Sequence, residues 1–327
     1  MLKGNSTLMV DTNAALSPPK VEVRSADPEE SPRKPRQRRA QGNLWALWFL
    51  LPAGVFLLFS VAVPSVQGAV YAFTDWNGLS ADWNFIGLEN FADMLSDPLA
   101  RTAIFNSLLL TLITTVGQNV IGLLLALALS SRIRARGFLR VLIFAPCVVT
   151  PVVVAFLWQY ILLPDGPLNG VLNAIGMGWA TQTWLGDPQL ALISISFVIL
   201  WQMSGAVMVI YIAGLQNVPD ELLEAAALDG AGPVRRFFAV TLPALRPAVV
   251  IATLLCIVGG LKTFDQVWVM TRGGPGVSSQ VLSTAIYQTA FLRGDFSYAT
   301  ALALVLALIT IIAAAIQQRV ARAGTED

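Results

Sequence analysis

The chain has 327 residues, 55% of them hydrophobic and only 13% charged, a balance too apolar for an ordinary soluble domain and suited to a polytopic membrane protein. It has no histidine, the commonest acid–base group and metal ligand, and its two cysteines, Cys147 and Cys256, both fall in apolar runs, so neither a disulfide framework nor a CxxC site is available. The net charge of +1 decides nothing, and the placement of the charges decides a good deal.

Residues 1–42 are rich in Pro, Ser, Glu and Arg with no hydrophobic period, which predicts a disordered tail. Its basic run (Arg33, Lys34, Arg36, Arg38, Arg39) abuts an apolar segment, so it reads as an orientation and lipid-headgroup anchor in preference to a nucleic-acid patch. That apolar segment is long enough to span and no small-residue cleavage site follows closely, so it reads as an uncleaved first helix. Six apolar segments follow one another at about 44–69, 104–130, 141–163, 190–215, 248–270 and 298–317. Each is near or above the roughly 20 residues that cross about 30 Å of hydrocarbon, so the fold class is all-α, a six-span transmembrane bundle over residues 43–327.

The basic residues then set the orientation. The tail, the second-to-third loop (Arg132, Arg134, Arg136, Arg140), the stretch 217–247 (Arg235, Arg236, Arg246) and the C-terminus (Arg319, Arg322) outweigh Arg101, Arg272 and Arg293 on the other side. Both termini are therefore expected in the cytoplasm. On the opposite side, residues 71–103 mix acids with Phe73, Trp76, Trp83, Phe85 and Phe91, which suits a short helix lying flat on the surface. An interfacial aromatic belt and a docking surface for an outside partner both fit that pattern. Asp165-Gly166-Pro167 and Gly273-Gly274-Pro275 are turn signals.

The hydrophilic stretch 217–247 lies between two long apolar runs. Pro219 can open a helix as its first residue, Asp220 and Glu221 place negative charge on the positive end, and Gly230 closes it. Gly232-Pro233 restarts a second helix carrying Arg235, Arg236, Phe237 and Phe238. Leu222, Leu223, Ala226 and Ala227 give the first helix an apolar surface outside the bilayer, with Glu224 near its middle, and such a surface needs a partner.

Within the spans only Lys262 and Asp265 are expected to be charged. Charge there is costly and faces a bundle interior or a wet cavity. Their i, i+3 spacing puts both on one helix face, which fits either a structural ion pair or, with Gly260 and Thr263, a translocation path. On span four, Trp201, Gln202, Met203, Ser204 and Ala206 supply a matching mixture of aromatic, polar and small residues. Gly259-Gly260-Leu261-Lys262-Thr263 is a near miss for a phosphate-binding loop: the lysine follows leucine, and the stretch lies in an apolar run in place of a strand-to-helix turn. The chain is therefore expected neither to bind nor to hydrolyse ATP.

Glu224-Ala225-Ala226, Gly230, Val240, Leu242 and Pro243 have the spacing of the EAA loop, and here the chain resembles the permease subunits of bacterial ABC importers. The stretches YAFTDWNG (71–78), GLENF (87–91) and TFDQVWVMTRGGP (263–275) are similar to the carbohydrate-uptake branch of the maltose and glycerol-phosphate type, so that the resemblance runs from about Leu44 to the end. It implies a type I permease in the bacterial plasma membrane and no enzyme. ATP would be used by two cytoplasmic ATPase subunits, and this chain would bind no cofactor and no nucleic acid. A second permease, an extracytoplasmic solute-binding protein and membrane lipid complete the implied partners. Glu224, Ala225, Ala226, Asp229, Gly230, Leu242 and Pro243 would couple to the ATPase. Glu224 would pair with a basic residue of its groove, the alanines would allow close approach, and Gly230 would set the bend. Gln202, Met203, Ala206, Gly260, Lys262 and Asp265 would lie along the path of a sugar or polyol. A secondary transporter would show internal repeats or broken spans, and a membrane enzyme would show clustered catalytic groups; neither pattern is legible in the sequence.

Overall fold

The computed structural model describes residues 44–130 and 134–323. The tail 1–42 with its basic run, and Arg132, lie outside the described residues. Two compact units divide between Phe56 and Leu57; the first is helical from Leu44 onward where it is described, and the second, Leu57–Asp327, holds both candidate regions described below.

Every regular element among the described residues is helical, apart from an isolated bridge between Thr74 and Phe85. Helix α1 (Leu50–Tyr71) is followed by a short helix α2 (Glu89–Ser96), the one expected in the 71–103 loop. Asn90 of α2 is buried and donates to the carbonyls of Ala72 (2.9 Å) and Thr74 (3.1 Å), which ties the helix to the loop before it. Then come α3 (Pro98–Ser130), α4 (Arg136–Val148), α5 (Pro151–Ile161), α6 (Pro167–Ala174) and α7 (Ala191–Leu215). The remainder is α8 (Asp220–Leu228), α9 (Pro233–Ala244), α10 (Arg246–Leu261), α11 (Asp265–Thr271), α12 (Leu282–Tyr287) and α13 (Phe296–Ala323).

Four helices, α1, α3, α7 and α13, are each long and apolar enough to span. The pairs α4–α5, bent by 96°, and α9–α10, bent by 68°, raise the number to six if each pair is one span. The expected span 141–163 is thus a broken one, which corrects the expectation that broken spans are absent. The cause is local: Val149 and Thr150 are extended (ψ 137° and 140°), as the residue before Pro151 must be to avoid the proline ring. Hydropathy cannot register this, because an apolar run remains apolar across a bend.

The expected span 248–270 is interrupted too. Helix α10 ends at Leu261 with Lys262 as its C-cap, Phe264 leaves helical geometry (φ −127°), and α11 starts at Asp265. The expected shared face of Lys262 and Asp265 therefore does not exist, and among the described residues no ion pair joins them. Each charge instead complements a helix end: the lysine stands at the negative C-terminus of α10 and the aspartate in the first turn of α11, an arrangement worth about 0.3–1 kcal/mol per end.

Helices α3 and α7 form the centre of the bundle. Small residues let backbones meet, the usual means of helix association where water supplies no driving force. A Cβ on Gly205 would lie 2.4 Å from the Ile143 carbonyl oxygen, and one on Gly122 would lie 2.7 Å from Val207. One core cluster gathers Leu110, Val154, Ile195, Val198 and Val267, and another gathers Ala126, Met208, Tyr211, Leu245 and Ala252. Several polar groups inside find partners within the chain, as an apolar solvent favours. The Tyr211 hydroxyl donates to Asn119 (2.6 Å), and Asn106 donates to the carbonyls of Ser278 (2.8 Å) and Gln280 (3.0 Å).

Candidate functional site

The hydrophilic stretch folds as the two helices expected of it. Pro219 is the N-cap of α8 and not its first helical residue, because its ψ of 126° is extended, and Asp220 and Glu221 occupy the first turn. Gly230 has φ +78°, and its N–H donates to Ala227 (3.1 Å) while that of Ala231 donates to Ala226 (2.9 Å). This pair of bonds is a Schellman termination, which requires the left-handed backbone that glycine adopts without cost. A Cβ on Gly230 would meet no neighbour, so its requirement is conformational and not steric. Gly232, extended at ψ 169°, caps the next helix with Pro233 at its start.

On this frame Glu224, Ala225 and Asp229 are exposed and Ala226 is half-buried. Leu222 (52% exposed), Leu228 (89%), Val234 (71%) and Phe238 (62%) make the same region apolar. Leu242 is half-buried and Pro243 exposed, and two residues on Leu245 is fully buried in the core with Tyr211 and Met208. The 68° bend falls at that anchor, so a force on α8 and α9 reaches α10 through a packed joint.

The second candidate region is a cavity of about 300 Å³ bordered by Met203, Ala206, Gly260, Lys262, Asp265 and Gln266. Five of the six residues expected along a path meet there. Gln202 does not: it is fully buried, its Nε2 donates to the Val149 carbonyl (3.0 Å), and its Oε1 accepts from Gln266 Nε2 (3.1 Å). It thereby joins the break between α4 and α5 to the start of α11. The α10–α11 break is held from the other side by Ser283, whose hydroxyl donates to the Thr263 carbonyl. Non-helical backbone at membrane depth is tolerated where protein satisfies it or where it lines a cavity, and both conditions hold here.

Sequence reasoning missed Gln266 and Gln118, which also line the cavity. Gln266 carried one signal, an amide next to the intramembrane aspartate; Gln118 carried none, being one polar residue among several along α3. Among the described residues no group of histidine, cysteine, aspartate or glutamate side chains is placed to hold a metal ion.

Residues 118–323 match the family described as "Binding-protein-dependent transport system inner membrane component". The probable ABC transporter permease protein YurN of Bacillus subtilis is 37% identical over 290 residues, covering 88% of this chain and 99% of that one. The multiple sugar-binding transport system permease protein MsmF of Streptococcus mutans is 32% identical, with 87% and 98% covered. The sulfoquinovosyl glycerol transport system permease protein SmoG of Agrobacterium fabrum is 33% identical, with 90% and 96% covered. The fold matches that of a bacterial alginate ABC transporter crystallised with its alginate pentasaccharide-bound periplasmic protein, at a TM-score of 0.75, 22% identity and 86% and 95% coverage.

Proposed function

Because the chain belongs to the family of binding-protein-dependent transport system inner membrane components, a permease of ABC importers and not itself an enzyme, we infer that it carries a sugar or related polyol inward. The support is the relatedness, over almost their whole lengths, to permeases named for sugar and sulfoquinovosyl glycerol transport. The chain pairs with a second permease, receives solute from an extracytoplasmic binding protein, and rests on two ATPase subunits that hydrolyse the ATP. The exposed apolar face of α8 around Glu224 carries the docking assignment, since such a surface outside a bilayer is stable only when covered. The cavity between the α4–α5 and α10–α11 breaks is the solute's waypoint, where Lys262, Asp265 and Gln266 offer polar partners to hydroxyls. Reconstitution with ATPase, second permease and binding protein is expected to give ATP-dependent uptake of labelled oligosaccharides and none of amino acids. ATP-independent uptake, or uptake of amino acids alone, would refute the assignment.

The orientation follows from the basic residues. A reporter fused after Arg319, or inserted between Gly230 and Pro233, is expected to be active only in the cytoplasm. Activity on the far side at either place would overturn it.

Gly230→Val is expected to leave ATPase bound while separating its hydrolysis from uptake. A branched side chain at φ +78° costs roughly 1–2 kcal/mol and shifts the turn between α8 and α9, while the contact face on α8 stays intact. The ratio of ATP hydrolysed to solute taken up, measured in vesicles, checks this, and an unchanged ratio rules it out.

A further inference from the structure

A series of aromatic rings leads away from the cavity. Phe264, in the cavity wall, stacks on Trp268 with centroids 5.8 Å apart and planes 13° apart, and Trp268 meets Tyr287 edge-on at 4.8 Å. Tyr287 contacts Phe291 at 5.2 Å, and Phe291 contacts Phe296 at 6.0 Å. The series then passes to the loop after α1, where Phe296 meets Trp76 at 6.1 Å and Trp76 stacks on Tyr71 at 4.1 Å.

These rings come from distant parts of the chain, yet none belongs to the packed core clusters, and none is buried. Phe291, in the middle, is 68% exposed. An interfacial belt keeps its aromatics at one depth around the perimeter. This series instead starts at the α10–α11 break, and the seven residues of α11, roughly 10 Å at 1.5 Å per residue, separate that break from the turn at Arg272. The loop of the YAFTDWNG stretch is shaped to complete it. Gly78 has φ +83°, and a Cβ there would lie 2.2 Å from the Phe296 ring, while the Ser297 N–H donates to the Trp76 carbonyl (3.2 Å) and fixes the two rings together. Polar groups lie alongside: the Gln288 amide donates to the Arg272 carbonyl (3.0 Å) and accepts from Gln280 (3.1 Å).

We propose that this series is a track on which the sugar rings of an oligosaccharide stack as they pass from the binding protein to the cavity. The electron-rich face of an aromatic ring attracts the weakly positive C–H face of a pyranose, and a contact of this kind recurs at each ring, so that a chain of sugar units advances without being held at one site. The half-buried Gln288 amide exchanges hydrogen bonds with its hydroxyls. The proposal rests on the sugar-uptake reading above.

Phe291→Leu tests it, because the exposed position keeps an apolar side chain and loses only the ring. In the assembled importer in proteoliposomes, with labelled maltotriose, xylotriose and raffinose as probes, the uptake rate at saturating binding protein is expected to fall roughly threefold to tenfold, as for one aromatic contact. Phe291→Tyr is expected to restore the rate, with ATPase retention and the half-saturating binding-protein concentration unchanged in both. Gly78→Ala, which displaces the Phe296 ring, is expected to act in the same direction. Wild-type trisaccharide uptake that persists at full rate in Phe291→Leu overturns the track and leaves the sugar reading standing. A wild-type importer that takes up none of the three but does take up labelled monosaccharide or polyol overturns the track alone, and one that takes up no sugar or polyol at all overturns both.

Discussion

Glu224→Lys is expected to abolish uptake by releasing the ATPase, with the chain still inserted and its spans intact. Among the described residues the Glu224 side chain is exposed and makes no ion pair or hydrogen bond within the chain, so the fold does not depend on it. Its flanking residues Ala225 and Ala226 are small enough for a partner surface to approach and partly desolvate the carboxylate. Removing one member of such a charge pair costs about 2–5 kcal/mol, and a lysine adds repulsion. At about 1.4 kcal/mol per factor of ten, the affinity falls by a few powers of ten. The measurement is the amount of ATPase retained on the purified permease pair, taken together with uptake in vesicles. Wild-type values for both would remove the docking role from α8.

Gln202→Leu is expected to fail differently, by loosening the bundle. The substitution leaves the Val149 carbonyl and the Gln266 amide without their partner at two backbone breaks. Each unsatisfied buried group costs about 1–3 kcal/mol, so roughly 2–6 kcal/mol of stability is lost. Denaturation of the purified complex reads this directly. A Gln202→Leu protein as stable as wild type but altered in its choice of solute would place Gln202 on the path after all and dismiss the bridging role.

The contrast between these two residues shows what was legible. The ends of α8 are written in adjacent residues: Asp220 and Glu221 on one side, and a glycine after a run of helix formers on the other. The left-handed Gly230 follows from that local grammar. Along the cavity, Lys262 and Asp265 were legible by type, since intramembrane charge is rare enough to stand out, whereas the amides Gln118 and Gln266 were not. Nor was the geometry of the two charges. Lys262 and Asp265 read as neighbours on one helix face because nothing apolar or periodic interrupts the run they share, whereas the structure breaks the helix between them.

The sequence by itself determined the membrane class, the helical content and, to within a residue, the ends of α8, because each depends on contacts within a few residues or on summed hydropathy. Tertiary structure alone decided the 96° bend of α4 and α5, the break at Lys262 and the meeting of distant residues around the cavity. A helix that stops inside an apolar medium frees carbonyl and N–H groups that must find partners, and here several come from far along the chain: Gln202 reaches Val149 across 53 residues and Gln266 across 64, and Ser283 reaches Thr263 across 20. Bonds of that range leave no period in the sequence.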